Sequence, residues 1–310
     1  MSRSRRTLAL AAALTVPALA LSACSSAAGG DDGTVQVLAS FYPLQMIAQE
    51  VGGERVSVDS LTPPGAEPHD VELSPAQVAA LGAAQLVVYQ SGFQAAVDDA
   101  VDEATPQHAV DAATIVHLET TEEEGHDDEH ADEDGHDHDG LDPHFWLDPS
   151  RMPAVADAVA EALAEIDPDG ADTYRANAAA LDERFAELDE AYETGLATCE
   201  RRVVVTSHEA FGYLAQRYDL EQVGISGIDP ETEPSPARLR EVGELVRAEG
   251  VTTIFFETLV SPKVAQTLAS DLGVETAVLD PIEGVTDDAQ DYFSIATSNL
   301  ETLRVALSCS

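Results

Sequence analysis

An α/β fold in two lobes, each with a mainly parallel sheet and both joined by one long rigid helix, follows from three features of the chain. Short β-branched runs alternate with Ala-rich helical stretches, one very long helical repeat occupies the middle, and a second alternating series follows it. In the first series residues 34–40 read as a strand, 43–51 as a helix, 55–61 as a strand, 75–82 as a helix and 85–90 as a strand. The alternation stops near Leu118. Within residues 171–196, apolar or small side chains recur at Tyr174, Ala178, Leu181, Phe185, Leu188 and Tyr192, at spacings of four and three, which is the stripe of an amphipathic helix. At about 1.5 Å per residue such a helix runs roughly 40 Å, longer than a small domain is wide. It is therefore read as a strut rather than as part of either core. Strands at 202–206, 221–225, 251–256 and 275–279 then alternate with helices at 210–218, 235–249, 261–272 and 289–307. The expected lobes are residues 34–170 and 200–310, linked by 171–199, and two lobes so joined enclose a cleft.

The first 33 residues read as targeting sequence. Arg3, Arg5 and Arg6 precede an apolar run, residues 7–21, that is too short for a bilayer and contains Pro17, so it is a signal peptide rather than a membrane helix. The run ends in Leu21-Ser22-Ala23-Cys24, which resembles the lipobox of bacterial lipoproteins. That resemblance implies removal of residues 1–23 and a diacylated Cys24 as membrane anchor. Residues 24–33, rich in Ser, Gly and Asp, then serve as a flexible tether. The expected location is extracytoplasmic, on the cell membrane. In that oxidising compartment the remaining cysteines, Cys199 and Cys309, are expected to pair.

Formal net charge is −43, and loss of the three leader arginines takes it to −46. Such a surface repels nucleic acid and anionic lipid and favours cations, so nucleic-acid binding is excluded. Without its leader the chain keeps 287 of its 310 residues, about two domains' worth, each able to bury a core without staples.

Four side chains stand at strand ends or loop starts. His69 lies in Pro63-Pro64-Gly65-Ala66-Glu67-Pro68-His69-Asp70, His144 in Asp142-Pro143-His144-Phe145-Trp146, His208 just after the strand in Val205-Thr206-Ser207-His208, and Asp280 just after Ala277-Val278-Leu279. Ligands of open parallel sheets bind beyond the carboxyl ends of strands, so His208 and Asp280 can share a crevice that His69 and His144 face from the other lobe. Three imidazoles and one carboxylate suit a borderline cation and can close a tetrahedral shell around Zn²⁺.

These motifs, together with Ser40-Phe41-Tyr42-Pro43-Leu44, Thr206-Ser207-His208-Glu209-Ala210-Phe211-Gly212-Tyr213 and Leu279-Asp280-Pro281-Ile282-Glu283-Gly284, occur in the order found in one family. They resemble the zinc/manganese group of ABC-transporter solute-binding proteins from about Val35 to the C-terminus. The resemblance implies two Rossmann-like lobes bridged by one long helix, a metal held in the cleft between them, and His69, His144, His208 and Asp280 as its ligands. It also implies delivery of the captured Zn²⁺ to the membrane permease of an ABC importer, by a receptor expected to be monomeric. Manganese-type members often carry Glu where this chain has His208, and a hard carboxylate suits Mn²⁺ better, so zinc is favoured over manganese. A manganese receptor of the same family and a metal-dependent surface adhesin are the alternative readings.

A zinc hydrolase fits less well. His208-Glu209 opens like a metalloprotease helix, but Gly212 stands where the second His belongs, and four protein ligands leave no coordination position for water. No catalysis is expected. Residues 119–139 hold His126, His130, His136 and His138 among 12 Asp/Glu with no Lys or Arg. Composition predicts a solvated acidic loop over 118–140 whose imidazoles collect metal weakly.

Overall fold

The computed structural model describes residues 33–120, 140–287 and 289–310. The leader, Cys24, the tether and the four histidines between 126 and 138 lie outside the described residues. The N-terminal lobe runs β1 (Val35–Ala39), α1 (Tyr42–Gly52), β2 (Val56–Ser60), α2 (Pro75–Ala83), β3 (Leu86–Tyr89), α3 (Ala95–Ala104), β4 (Ala109–Asp111), α4 (Ala112–Val116) and, past the acidic segment, α5 (Met152–Ile166). Its strands pair in parallel in the order β2-β1-β3-β4. After α6 (Ala171–Leu196) the second lobe repeats the scheme with β5 (Val203–Thr206), α7 (Gly212–Arg217), β6 (Glu221–Gly224), α8 (Pro236–Ala248), β7 (Thr253–Phe256), α9 (Lys263–Leu272), β8 (Glu275–Val278) and α10 (Tyr292–Leu307). Its order is β6-β5-β7-β8, again all parallel.

Local chemistry places the helix starts. Pro stands in the first turn of α1, α2, α5 and α8, where its missing N–H forgoes no helical bond. Ser74 and Gln77 form a reciprocal capping box on α2, and Asp291 and Ser294 form another on α10. Each sheet is covered on both faces, because successive strand residues face opposite sides. In β1, Val35, Val37 and Ala39 face one core while Leu38 faces a second, smaller one beneath α2 and α3. In the second lobe Val203, Val205 and Ile254 face α8 and α9, whereas Val204 and Phe255 face inward.

The inward faces of both sheets belong to one continuous core, which revises the expected role of the long helix. It does connect the lobes, but Tyr174, Ala178, Leu181, Phe185, Leu188 and Tyr192 are all buried in that shared core. The Asn177 amide donates to the Val51 carbonyl at 2.9 Å on the N-terminal side, and the Tyr192 hydroxyl donates to the Ala296 carbonyl at 2.7 Å on α10. Phe185 meets Tyr292 edge to face at 5.6 Å between centroids. A strut would need only its ends anchored. This one is packed along its length, because its apolar stripe is wide enough to serve both lobes.

Cys199, just past α6, is bonded to Cys309, just past α10, closing 110 residues of chain. A loop of that length corresponds to about 4–5 kcal/mol in the chain-entropy account of cross-links. None of the described helices is long and apolar enough to cross a membrane.

A shared core has a thermodynamic signature. Phe185 is fully buried where α6 meets α10, so Phe185→Ala is expected to cost about 3–5 kcal/mol. Urea unfolding of wild type and variant, followed by circular dichroism, should give one transition rather than two. Two resolved transitions in the wild type would show that the lobes fold on separate cores.

Candidate metal centre

In both sheets the strand order reverses beside the first strand of the lobe, between β1 and β3 and between β5 and β7. At such switch points, loops diverge to opposite faces and leave a crevice at the carboxyl ends of the strands. His208 follows β5, and Glu257 follows β7 directly. His69 lies in the loop after β2. The Gln94 amide holds that loop by donating to the Pro68 carbonyl at 3.0 Å and to the Thr62 hydroxyl at 2.9 Å. His144 opens a short 3₁₀ turn, Phe145–Leu147, and the Gln90 amide, one residue beyond β3, donates to the Pro143 carbonyl at 2.8 Å.

These loops bring three imidazoles onto one carboxylate, and it is not the one expected. Glu283 Oε1 lies 3.4 Å from His69 Nε2, 3.3 Å from His144 Nε2 and 3.5 Å from His208 Nε2. The Nε2 atoms of His69 and His144 are 3.3 Å apart, and one ligand atom from each of the four residues lies within 4.8 Å of the others. Asp280 stands outside this group. Its carboxylate accepts from the Thr258 hydroxyl at 2.9 Å and from the Ile282 backbone N–H at 2.8 Å, while its backbone is clasped by the Asn299 amide. Accepting the N–H two residues ahead is what Asp does when it builds a turn. The turn continues through Ile282, a buried β-branched residue held at φ 57°, in the left-handed region such side chains avoid. That strained step carries the chain round so that Glu283 enters the cleft.

Two backbone carbonyls tie the turn to the other lobe. Trp146 Nε1 donates to the Pro281 carbonyl at 2.7 Å, and the Tyr292 hydroxyl donates to the Trp146 carbonyl. The ring of His69 stands edge-on to Phe93 at 4.8 Å, and His144 is 5.2 Å from Trp146. Aromatic packing leaves Glu283 and His144 with no exposed surface and His208 with 1%.

Two of the imidazoles are held from behind by carboxylates the sequence reading did not use. His144 Nδ1 lies 2.8 Å from Asp142 Oδ1, and His208 Nδ1 lies 2.8 Å from Glu257 Oε1. Gly212 acquires its meaning here. A Cβ at that position would lie 2.6 Å from Asp142 Oδ2, so a side chain where a metalloprotease would place its second His would displace the carboxylate that holds His144.

The electrostatics follow from burial opposed by this network. Burial alone would raise the Glu283 carboxyl, but its contacts with His144, His208 and His69 outweigh it and hold the group well below the usual range. Burial lowers His69. Burial also opposes charge on His144 and His208, yet Asp142 and Glu257 behind them and Glu283 in front raise both, His208 to about 10. Burial raises Glu67, whose carboxylate accepts the His69 backbone N–H, to about 7.

The residues present fit a tetrahedral cation. Zinc–ligand bonds of about 2.0–2.1 Å imply ligand–ligand edges of about 3.3–3.4 Å, close to the four contacts above. His208 Nε2 and Glu283 Oε2 are buried without any hydrogen-bond partner, the 3.5 Å approach of His208 to Glu283 lacking hydrogen-bond geometry. Orphaned polar atoms of this kind are costly unless something meets them.

Parallel α/β lobes with a ligand-shaped cluster between them define the class of two-lobed solute-binding proteins, and solved members of that class superpose on this chain. The laminin-binding protein Lmb of Streptococcus agalactiae, described as a bifunctional protein with adhesin and metal-transporting activity, matches with a TM-score of 0.77 and 32% identity, over 88% of this chain and 99% of its own. The Zn(II)-bound ZnuA-like domain of Streptococcus pneumoniae AdcA matches with a TM-score of 0.72 and 32% identity, over 89% of this chain and 99% of its own. The chain belongs to the ZnuA family, zinc-uptake complex component A, periplasmic, which it matches over residues 37–306. It is 33% identical to the high-affinity zinc uptake system protein ZnuA of Bacillus subtilis, across 95% of this chain and 94% of that protein. It is 36% identical to the zinc-binding lipoprotein AdcA of S. pneumoniae, across 93% of this chain but only 58% of that longer protein.

The raised imidazoles have a measurable consequence. A metal must displace protons from His208 and His144, so apparent zinc affinity should climb as pH rises through neutrality toward about 10. Without metal the sign reverses. The raised His208 contributes stability fully below its unfolded value near 6.5 and loses it as pH rises through about 10. Zinc titration calorimetry at pH 7 in buffers of different ionisation enthalpy should reveal release of about one to two protons per metal. Binding enthalpies independent of buffer would rule this protonation pattern out.

Proposed function

We propose that this chain is an extracytoplasmic zinc receptor, tethered by a lipid on Cys24, that captures Zn²⁺ with His69, His144, His208 and Glu283 and passes it to the membrane permease of an ABC importer. The observation that carries this reading is the convergence of three Nε2 atoms on one buried carboxylate oxygen, at 3.4, 3.3 and 3.5 Å. Neutral nitrogen donors with a single anionic ligand suit Zn²⁺ better than harder cations, and four protein ligands leave no open position for a catalytic water. The relatives named for zinc uptake and the solved zinc-bound domain support the same cargo. Burial of the cluster makes the described conformation a closed one, so loading and release both require the lobes to part. Residues 119–139, with four His and 12 acidic side chains beside His144, are proposed to gather zinc weakly and pass it inward.

The test is elemental analysis of the purified protein followed by competition against a chromophoric chelator. One Zn²⁺ per chain is expected to survive purification. His208→Ala and Glu283→Ala should each weaken binding by two or more orders of magnitude, about 3 kcal/mol or more. Asp280→Asn keeps the size and part of the hydrogen bonding of the turn, and should stay within about tenfold of wild type. Loss of binding in Asp280→Asn with retention in Glu283→Ala would restore Asp280 as the fourth ligand.

A further inference from the structure

We infer that Glu257 is a positioning residue that tilts the centre toward zinc over manganese, by locking His208 in the tautomer that presents Nε2 and by making it a stronger nitrogen donor. The inference deepens the zinc-receptor reading and rests on it. Glu257 stands directly after β7, 49 residues from its partner, and is 3% exposed. Its Oε1 receives the Nδ1–H of His208 at 2.8 Å and the hydroxyl of the adjacent Ser207 at 2.7 Å. A carboxylate can only accept, so the proton of the neutral ring is kept on Nδ1 and the lone pair on Nε2 is aimed at Glu283. Ser207 fixes which oxygen does this.

Glu257 Oε2 is buried without a hydrogen-bond partner. A carboxylate half-satisfied in an apolar interior is destabilising by itself. A cation on the far side of the imidazole offsets that cost through the ring, which couples the two sides of His208. The coupling also gives direction. A hydrogen-bonded carboxylate raises the electron density on the opposite nitrogen, and zinc gains more from a stronger nitrogen donor than manganese, which stands lowest in affinity for such sites. The other two imidazoles are held differently. His144 leans on Asp142, a buried carboxylate whose side chain keeps 12% exposure, and His69 meets Glu67 through its backbone N–H. Glu257, the more deeply buried of the two carboxylates behind ligand imidazoles, can be removed to change one ligand's donor strength while leaving all four ligands in place.

The experiment compares wild type, Glu257→Ala and Glu257→Gln. Zinc affinity is read by chelator competition, manganese affinity by electron paramagnetic resonance, and the hydrogen bonding of the His208 Nδ1–H by its ¹H shift and solvent exchange in ¹H–¹⁵N spectra of zinc-loaded, ¹⁵N-histidine-labelled protein. Glu257→Ala should weaken zinc binding by about 10–100-fold, weaken manganese binding several-fold less, and move the His208 Nδ1–H upfield with faster solvent exchange. Glu257→Gln keeps an oxygen that can accept both donors and should fall between wild type and Ala. Equal factors of loss for both metals would reduce Glu257 to a structural role, and unchanged affinities would remove any role. Both outcomes overturn the inference. Should Glu257→Ala fail to fold, the zinc-to-manganese ratio of Glu257→Gln against wild type decides alone. A wild-type protein that binds no zinc would instead overturn the receptor reading.

Discussion

A carboxylate with no exposed surface, facing three imidazoles, is the constraint around which the rest of the structure is arranged. Glu283 could not be buried alone, since an isolated ionised carboxylate in an apolar interior is prohibitively costly. It is compensated by His69, His144 and His208, contributed by loops of both lobes. The compensation works in two interchangeable ways. The raised imidazoles of His144 and His208 offset Glu283 when no metal is bound, and a divalent cation can take the place of their protons. The site can therefore remain nearly isoelectric through loading and unloading, a useful property where the surrounding surface is strongly anionic.

Holding such a cluster demands a scaffold that does not let the two lobes drift. The shared core supplies it. The inner faces of both sheets, α1, α5, α6 and α10 pack as one apolar body, and α6 touches both halves along its length. The disulfide between the ends of α6 and α10 closes the second lobe against the base of the long helix. Around the cleft this core is joined by directional contacts, with Trp146 reaching the Pro281 carbonyl, the Tyr213 hydroxyl donating to the Asp142 carbonyl at 2.8 Å and the Arg151 guanidinium lying over the Tyr213 ring.

The alternation of strands and helices, the long central helix and the three histidines were legible in the sequence because each has a local signature: period two, period three to four, or a ligating side chain at a strand end. Other features were not. The strand Ala109–Asp111 is too short to show any period, and α3, AAVDDAVDEA, carries too many acids to advertise its buried face. The long helix looked like a strut because the partners of its apolar stripe lie far away in the chain. The sequence points to Asp280 because it directly follows a strand, and Glu283, three residues on, carries no such mark. What brings Glu283 rather than Asp280 to the imidazoles is a turn in which Asp280 spends its carboxylate on Thr258 and on its own backbone, and in which Ile282 adopts a left-handed conformation. The one local clue was Asp280-Pro281, a turn-forming pair. Glu257 and Asp142 gave no signal, since an acid behind an imidazole is recognised only once the two are brought together.

The chain has one tryptophan, and it is among the residues that bridge the lobes. The indole of Trp146 is fully buried, lies 5.2 Å from the imidazole of His144, and is bonded to a carbonyl two residues from Glu283. An excited indole is sensitive both to water and to a neighbouring charged imidazole. The molecule thus carries a built-in optical gauge, free of competing emitters of its kind. Its colour would register whether the cleft is open, and its brightness whether His144 holds a proton or a metal.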